Sequence, residues 1–409
     1  MGEGKWRLEE QKAETGGVAK GAAKGAVGVG EDVTLGAVWP DDSDDLWIWR
    51  DGYLVPSTLE LGSAADSLSL ASKKRSLRAM PSMFDASGLV VQQHFASSLD
   101  GTKVPFFVIM REDAPKDGTN PTLLDAYGGF EISMLPGYSA GVGVGWLERG
   151  GIKVIANIRG GGEYGPEWHQ AALRERRHRA YEDLEAVARA LCEAPLLLTS
   201  PEKLACIGGS NGGLLVGNMI TRATAAPLFA AAVCQVPLLD MKVYSHLLAG
   251  ASWMAEYGDP DKPEDWAFLR RHSPYQILRH DRLGLPETPP SSSDPPDAAA
   301  NKKKEKPNPD LIGPDGSPEK WKCPRVLFTT STRDDRVHPG HARKMVAALR
   351  EAEKASVPEV LYWENLEGGH GGAADNKQRA YMWALSFEFV ARALGLPPSE
   401  PAKPPGSES

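Results

Sequence analysis

The 409-residue sequence has little of what marks a nucleic-acid-binding, secreted or membrane protein. Its net charge is −8, so no excess of Lys and Arg would follow a phosphate backbone, and nucleic acid is not an expected partner. No run approaches 18 consecutive apolar residues, so no membrane span is expected. The cysteines form no CxxC pair, which predicts reduced thiols in a cytoplasmic protein; they are Cys192, Cys206, Cys234 and Cys323.

Metal and phosphate signatures are also absent from the sequence. His338 and His341 lie at a predicted helix start without the further ligands that a metal site needs. Arg159-Gly160-Gly161-Gly162 is followed by neither GK[ST] nor GxGxxG, which predicts a structural loop rather than a phosphate cradle. We therefore expect neither a metal nor a cofactor.

Composition divides the chain into segments of unequal character. Segments rich in Gly, Ala, Pro or Lys cannot bury enough apolar surface to pack, whereas the chain as a whole is 41% hydrophobic and long enough for a large core. We expect, in chain order, a disordered segment at 1–31, a β-rich segment at 32–85, an α/β domain at 86–396 with a disordered insertion at 286–318, and a disordered tail at 397–409.

From residue 86 onward, short apolar runs alternate with segments of helical period. Leu99-Asp100-Gly101 separates the first two runs and indicates a hairpin. The later alternation predicts a mostly parallel, doubly wound sheet with helices on both faces. In such a sheet, sites form at the carboxyl ends of the strands. The run Gly141-Val142-Gly143-Val144-Gly145 is expected to permit close helix packing.

A serine lies between a strand-like run at 204–207 and a helix-like segment at 214–217, in Gly208-Gly209-Ser210-Asn211-Gly212-Gly213. Glycines two residues before and two residues after a serine are the pattern of a nucleophile elbow. The turn is so sharp that side chains at those flanking positions would collide with the neighbouring strand and helix. The pattern predicts that Ser210 is the nucleophile of a serine hydrolase.

An elbow serine needs a base and a carboxylate, which follow it in the chain order Ser, Asp or Glu, His. His370 is the histidine late enough to fit, in a glycine-rich loop after the predicted strand at 360–363. Asp334 and Asp335 directly follow the predicted strand at 325–330, and either one suits the acid. Either one also suits a cap on the turn before the next helix, so the residues alone leave the choice open.

Six motifs, in this order, resemble the catalytic domain of the prolyl oligopeptidase family. The resemblance extends over about residues 86–396, apart from the insertion, and implies an α/β-hydrolase fold. The motifs are Tyr127-Gly128-Gly129-Phe130, Asn157-Ile158-Arg159-Gly160-Gly161-Gly162-Glu163-Tyr164-Gly165, the elbow, Trp253 with Tyr257-Gly258-Asp259, Asp334-Asp335-Arg336-Val337 and Glu367-Gly368-Gly369-His370-Gly371.

The resemblance implies a catalytic role for each of five residues. Ser210 would be the nucleophile, His370 the general base and then acid, and Asp334 the acid that orients the histidine. The backbone N–H of Asn211 and the phenol of Tyr127 would form the oxyanion hole. A phenol suits this task because its neutral O–H can be directed at developing charge.

The same resemblance implies substrate-binding residues. Arg336 resembles the family residue that binds a substrate carbonyl, and its fixed fork of donors suits that task. An apolar pocket for proline, whose ring can stack on an indole, would be lined by Phe130, Trp253, Tyr257 and Val337. By sequence alone, each of these aromatic side chains is more often found in a core.

The implied function is that of a serine peptidase that cleaves short proline-containing peptides on the carboxyl side of proline through an acyl-enzyme intermediate. Alternatives are an esterase or thioesterase with the same triad, and an inactive truncated member that acts only by interaction. Family members normally place a β-propeller before the catalytic domain, whereas residues 1–85 precede it here. We therefore expect 32–85 to be a remnant of the last propeller blade and the chain to be a fragment or truncated product.

Overall fold

A computed structural model describes residues 28–64, 75–222, 224–285, 321–352 and 357–397. Within these ranges the chain forms two β-sheets, a small one near its start and a larger one after it. The first strand begins at Glu31, one residue before the predicted boundary. The predicted insertion at 286–318 lies outside the described residues, as do most of the predicted segments 1–31 and 397–409.

The small sheet is antiparallel, and each strand pairs with the next one along the chain. Its strands are β1 (Glu31–Ala37), β2 (Asp45–Gly52), β3 (Thr58–Ser63) and β4 (Arg75–Ala79). These strands fall within the segment 32–85 that was expected to be β-rich, apart from the first residue of β1. β3 and β4 are short and contain few of the β-branched and aromatic residues typical of strands. That this sheet is a propeller-blade remnant stays a prediction.

The small sheet is joined to the larger domain by direct contacts. The backbone N–H of Tyr138 donates a hydrogen bond to Oδ1 of Asp51 at 2.9 Å, just before β2 ends. The ring of Tyr53 packs against Phe107, with ring centroids 5.6 Å apart. Residues directly after β2 therefore form part of the packing of the larger domain.

The larger sheet has the strand order β12-β11-β10-β9-β7-β8-β6-β5. The strands from β12 to β8 in this order run parallel, whereas β6 and β5 are antiparallel to their neighbours and form the predicted hairpin. Their bounds are β5 (Leu89–Ser97), β6 (Lys103–Arg111), β7 (Thr122–Ala126), β8 (Ile152–Ala156), β9 (Leu204–Gly209), β10 (Ala231–Gln235), β11 (Arg325–Ser331) and β12 (Val360–Asn365).

Helices connect these strands and cover both faces of the sheet. The α-helices are α1 (Ala140–Val142), α2 (Pro166–Gln170), α3 (His178–Cys192), α4 (Asn211–Thr221), α5 (Met254–Tyr257), α6 (Pro263–Leu269), α7 (Pro274–Gln276), α8 (Gly340–Glu351) and α9 (Asn376–Leu394). This architecture confirms the predicted α/β-hydrolase fold with a β-rich part before it.

Alternate residues of each central strand enter two separate cores, because successive side chains point to opposite faces of a sheet. Cys206 and Cys234 lie in the core that α3, α4 and α8 cover, whereas Ile207 and Val233 lie in the core that α9 covers. Every residue of β8 and β10 is buried. Strands buried on both faces read as continuous apolar runs, which is the pattern in the sequence.

Within the glycine run after β7, Gly145 packs closely against a helix, as predicted for the run. A Cβ atom at Gly145 would lie 2.6 Å from the ring of Phe387 in α9, so a larger residue would separate the two segments. The next residue, Trp146, is fully buried, and its indole N–H donates to the carbonyl of Ile152 at 2.8 Å. The glycine therefore lets a tryptophan-containing helical turn lie against α9.

Arg159 anchors the glycine-rich loop that follows β8. Its side chain is 3% exposed and bonds to Asp183 of α3, with Nη2 2.7 Å from Oδ1, and to Asp100 in the hairpin turn. Ser98 Oγ donates to the same oxygen of Asp183 at 2.5 Å. The guanidinium thus ties the loop to two parts of the domain.

Candidate active site

The predicted elbow serine lies at the carboxyl end of the central strand β9 and directly before α4. Ser210 has φ 58° and ψ −116°, a conformation that L-residues rarely adopt. Its backbone N–H donates to the carbonyl of Gln235 at 3.0 Å, at the end of the neighbouring strand β10. Strained backbone of this kind costs of order 1–3 kcal/mol and persists only where the surrounding structure holds it, typically at functional sites.

The glycines that flank Ser210 meet backbone atoms rather than flexible side chains. A Cβ atom at Gly208 would lie 2.5 Å from the carbonyl oxygen of Gly212, and one at Gly212 would lie 3.0 Å from the carbonyl oxygen of Ala126. Backbone atoms cannot give way as a side chain can. The turn between β9 and α4 therefore requires glycine where the sequence has it.

Asp334 and His370 are brought together by the loops that follow β11 and β12. Nδ1 of His370 lies 2.8 Å from Oδ2 and 2.9 Å from Oδ1 of Asp334. Oδ1 also accepts hydrogen bonds from the backbone N–H groups of Arg336 and Val337, each at 2.9 Å. The Asp334 side chain is fully buried, whereas Asp335 is exposed. The residues alone left both aspartates open, and the geometry pairs Asp334 with the histidine.

Two polar side chains that the sequence reasoning did not single out hold the His370 loop. Asn365 at the end of β12 accepts hydrogen bonds from the N–H groups of Glu367 and Gly368 and donates to the carbonyl of Gly372. Ser331 at the end of β11 donates its hydroxyl to the carbonyl of Gly368. Their position at the ends of strands that precede predicted site loops was the available signal.

Ser210 lies beside the Tyr127 phenol, where it partly offsets the rise in the pKa of that phenol. Among the hydrogen bonds of the described residues, none joins Ser210 to His370. Hydrogen bonds between nucleophile and base are often long in substrate-free enzymes and tighten when substrate binds.

Tyr127 and Asn211 lie next to each other at the start of α4. Nδ2 of Asn211 donates to the carbonyl oxygen of Tyr127 at 2.6 Å. The backbone N–H of Asn211 belongs to the first helical turn, which has no intrahelical acceptor for it and is a favourable place for negative charge. Burial raises the pKa of Tyr127, against smaller lowering effects of Ser210 and Arg177, so the phenol stays protonated at neutral pH.

The four residues expected to line a proline pocket lie in one apolar cluster beside the elbow. Tyr257 and Val337 are buried members of this cluster, and Phe130 and Trp253 are partly buried against it. The rings of Phe130 and Tyr257 meet edge to face, with centroids 5.6 Å apart and planes at 87°. The two partly exposed rings can therefore contact a bound apolar group.

Arg336 lies at the rim of this region. Its side chain is exposed, and its positive charge offsets a small part of the rise in the pKa of Tyr127. Its backbone is fixed by the bond to Asp334 and by the N–H of Ala249, which donates to the Arg336 carbonyl at 3.3 Å. A guanidinium in this position can donate to an acceptor on a ligand.

The described residues contain neither a metal-binding cluster nor a membrane-spanning helix. No group of three or more His, Cys, Asp or Glu side chains in those ranges could hold a metal ion. No helix there is both long enough and apolar enough to cross a bilayer.

Comparison with known families identifies one match. A model of the prolyl oligopeptidase family matches residues 139–288 and 314–397. Among curated proteins, uncharacterized peptidase y4nA of Sinorhizobium fredii is 43% identical over 366 residues, which cover 89% of this chain and 43% of that protein. The prolyl endopeptidase of Elizabethkingia miricola is 32% identical over 353 residues, covering 86% of this chain and 43% of that enzyme.

Solved structures give the same result. A structure from a study of two prolyl endopeptidases superposes with a TM-score of 0.72 and 32% identity, covering 90% of this chain and 47% of that one. A post-proline cleaving enzyme from Rickettsia typhi superposes with a TM-score of 0.70 and 33% identity, covering 90% and 45% of the two chains. The chain spans less than half the length of these relatives.

Proposed function

The chain belongs to the prolyl oligopeptidase family, and we propose on that premise that it is a serine peptidase cleaving short peptides on the carboxyl side of proline. The observation that supports the proposal best is the buried Asp334 in contact with His370, at the same sheet edge as the strained elbow of Ser210. The names of two relatives, prolyl endopeptidase and post-proline cleaving enzyme, supply the preference for proline.

In the proposed mechanism, Ser210 attacks the carbonyl carbon of the scissile peptide bond. His370 takes the hydroxyl proton through Nε2, because its Nδ1 is occupied by Asp334. The new Oγ–C bond gives a tetrahedral intermediate, and its collapse breaks the C–N bond as His370 passes the proton to the leaving amine. Water then hydrolyses the acyl-enzyme with the histidine as base, which releases the acid and restores Ser210.

Tyr127 supplies a donor in this scheme. In the free protein its phenol lies beside Ser210. We propose that the phenol and the backbone N–H of Asn211 donate to the substrate carbonyl oxygen. A donor that bonds more strongly as charge develops on that oxygen stabilises the transition state more than the substrate.

The proline ring would bind in a pocket lined by Phe130, Trp253, Tyr257 and Val337. Arg336 would bind a substrate carbonyl outside that pocket. The partly buried rings of Phe130 and Trp253 offer apolar faces over a base of buried side chains. A rigid ring loses little conformational freedom when it binds such a pocket. Short proline-containing peptides are therefore the proposed partners.

A cytoplasmic location is part of the proposal. All four cysteines are free, and Cys206, Cys234 and Cys323 are buried. Burial raises the pKa of these three thiols, so they stay protonated and are unreactive. Unpaired, unreactive cysteines are typical of proteins from a reducing compartment.

The test uses the purified chain with a proline amide and a proline ester that release chromophores. Amide turnover that is lost in Ser210→Ala supports the peptidase. Ester turnover alone supports an esterase or thioesterase instead. No turnover of either substrate, together with no labelling of Ser210 by a fluorophosphonate, would show that the chain has no hydrolase activity.

A further inference from the structure

A buried ion pair lies behind the oxyanion residues and the aromatic cluster. Nη1 of Arg177 is 2.9 Å from Oε1 of Glu256, and the two residues are 3% and 5% exposed. Arg177 directly precedes α3, and Glu256 belongs to α5. Burial of two charges costs desolvation free energy that their attraction often fails to recover, so stability alone is a poor explanation for this pair.

The guanidinium extends from the pair to the oxyanion residues. Its Nη2 donates to Oδ1 of Asn211, which also accepts the Tyr257 hydroxyl at 2.8 Å. Because a guanidinium can only donate, it fixes which end of the Asn211 amide faces it. The other end, Nδ2, then donates to the carbonyl of Tyr127 at 2.6 Å. Arg177 thus orients the amide that links the two oxyanion donors.

The carboxylate extends to the aromatic cluster. Oε1 of Glu256 accepts the backbone N–H of Phe130 at 3.0 Å, and Oε2 lies 2.7 Å from Nε2 of His169. Phe130 and Glu131 have φ angles of 56° and 55°. Two successive non-glycine residues in this conformation need contacts that hold them, and Glu256 supplies one at Phe130.

We propose that Arg177 and Glu256 are a positioning pair that holds the oxyanion donors and the proline pocket at the correct position relative to Ser210. The inference rests on the proposed function. Neither residue touches the reacting atoms; Arg177 acts through Asn211 and Tyr127, and Glu256 acts through Phe130. Loss of the pair should therefore slow the chemical step and weaken discrimination between substrates.

The test is the double variant Arg177→Met with Glu256→Gln, which removes both charges so that neither is left unpaired in the interior. The matched control is Arg222→Met with Glu185→Gln. That pair is equally buried, with Nε of Arg222 3.0 Å from Oε1 of Glu185, and it joins α3 to the end of α4 rather than to the site. For each protein, kcat and KM are measured on proline and alanine esters and normalised to the Ser210 residues that a fluorophosphonate labels.

We expect kcat per labelled site to fall at least tenfold in the site variant. The ratio of kcat/KM for proline over alanine should fall at least threefold, and the control should stay within twofold on both measures. A pair with only a structural role would lower the folded fraction and leave the per-site kcat and the ratio equal to those of the control, which would overturn the proposal.

A second variant covers failure of the double variant to fold. Arg177→Lys keeps a positive charge beside Glu256 but lacks the fork that reaches Asn211 as well. Its kcat should fall, whereas the ratio of kcat/KM for proline over alanine should stay the same. An unchanged kcat would overturn the proposed role of Arg177. If a fluorophosphonate labels the unmodified chain but the chain does not hydrolyse proline esters, only the proposed proline specificity is refuted. The labelling rates of the site variant and the control variant then test the role of the Arg177–Glu256 pair. If the unmodified chain is not labelled, both the proposed function and the role of the pair are refuted.

Discussion

Asp334→Asn should abolish most of the activity while leaving the fold nearly intact. Oδ1 of Asp334 is held by two backbone N–H groups, so the carbonyl oxygen of an asparagine would occupy that place. The amide NH₂ would then face Nδ1 of His370, where Oδ2 lies now at 2.8 Å. An NH₂ can only donate, so Nδ1 would have to accept and the imidazole proton would move to Nε2, where Ser210 needs an acceptor.

The expected loss follows from this change of tautomer. A histidine protonated at Nε2 cannot take the serine proton, and the corresponding loss in serine hydrolases is about 10⁴ in kcat, or about 5 kcal/mol of activation free energy. The free energy of unfolding should change by less than about 2 kcal/mol, because both backbone hydrogen bonds remain. The assay is the burst and steady-state turnover of a proline ester, beside urea unfolding of the same protein.

Asp335→Asn is the matched control, since Asp335 is the exposed neighbour of Asp334. We expect its kcat to stay within twofold of that of the unmodified chain. An Asp334→Asn protein that retains more than a tenth of the activity would contradict the proposed role of Asp334. An Asp335→Asn protein that loses as much activity as Asp334→Asn would contradict it equally.

Tyr127→Phe removes the phenol that lies beside Ser210, and kcat on a proline ester should fall about 10²–10³-fold with little change in KM; equal activity would show that the phenol is not an oxyanion donor. Gly208→Ala would place a Cβ atom 2.5 Å from the Gly212 carbonyl oxygen and should lower the free energy of unfolding by about 1–3 kcal/mol in urea titrations. Gly141→Ala is the control and should be tolerated, because the added Cβ atom would lie in open space. Burial lowers the pKa of His341 to about 4, so the neutral ring contributes stability that is complete above pH 6.5 and is lost as the pH falls toward 4. In His341→Asn, the amide oxygen can accept the backbone N–H of Asp240 that Nδ1 of His341 accepts now. The free energy of unfolding of this variant should change by about 3 kcal/mol less between pH 7 and 4 than that of the unmodified chain. Identical pH profiles of the two proteins would contradict this assignment.

Sequence patterns located the loops of the site because each loop follows a strand that is strongly apolar. The elbow, the Asp-Asp-Arg loop and the glycine-flanked histidine are local features, and parallel strands bring their carboxyl ends to one edge of a sheet. The fold was predictable for the same reason, since alternating apolar runs and helical periods indicate a doubly wound sheet.

Residues that act across the fold could not be predicted in the same way. Arg177 lies in a charged stretch, and nothing local distinguishes it from its exposed neighbours. Its partner Glu256 lies 79 residues later along the chain, so their pairing depends on how α5 packs against the start of α3. Without the family resemblance, the choice of Asp334 over Asp335 likewise depends on which carboxylate the two backbone N–H groups bind.

The assembly of the site from distant segments has a consequence during protein synthesis. The proposed oxyanion residue Tyr127 follows β7, whereas His370 follows the last strand, β12, and the proposed pocket combines Phe130 with Val337. Contacts of such long sequence separation form late in folding, after the chain that separates them has been made. A nascent chain on the ribosome would therefore hold Ser210 without its base, and hydrolysis would begin only once the C-terminal strands had emerged and docked.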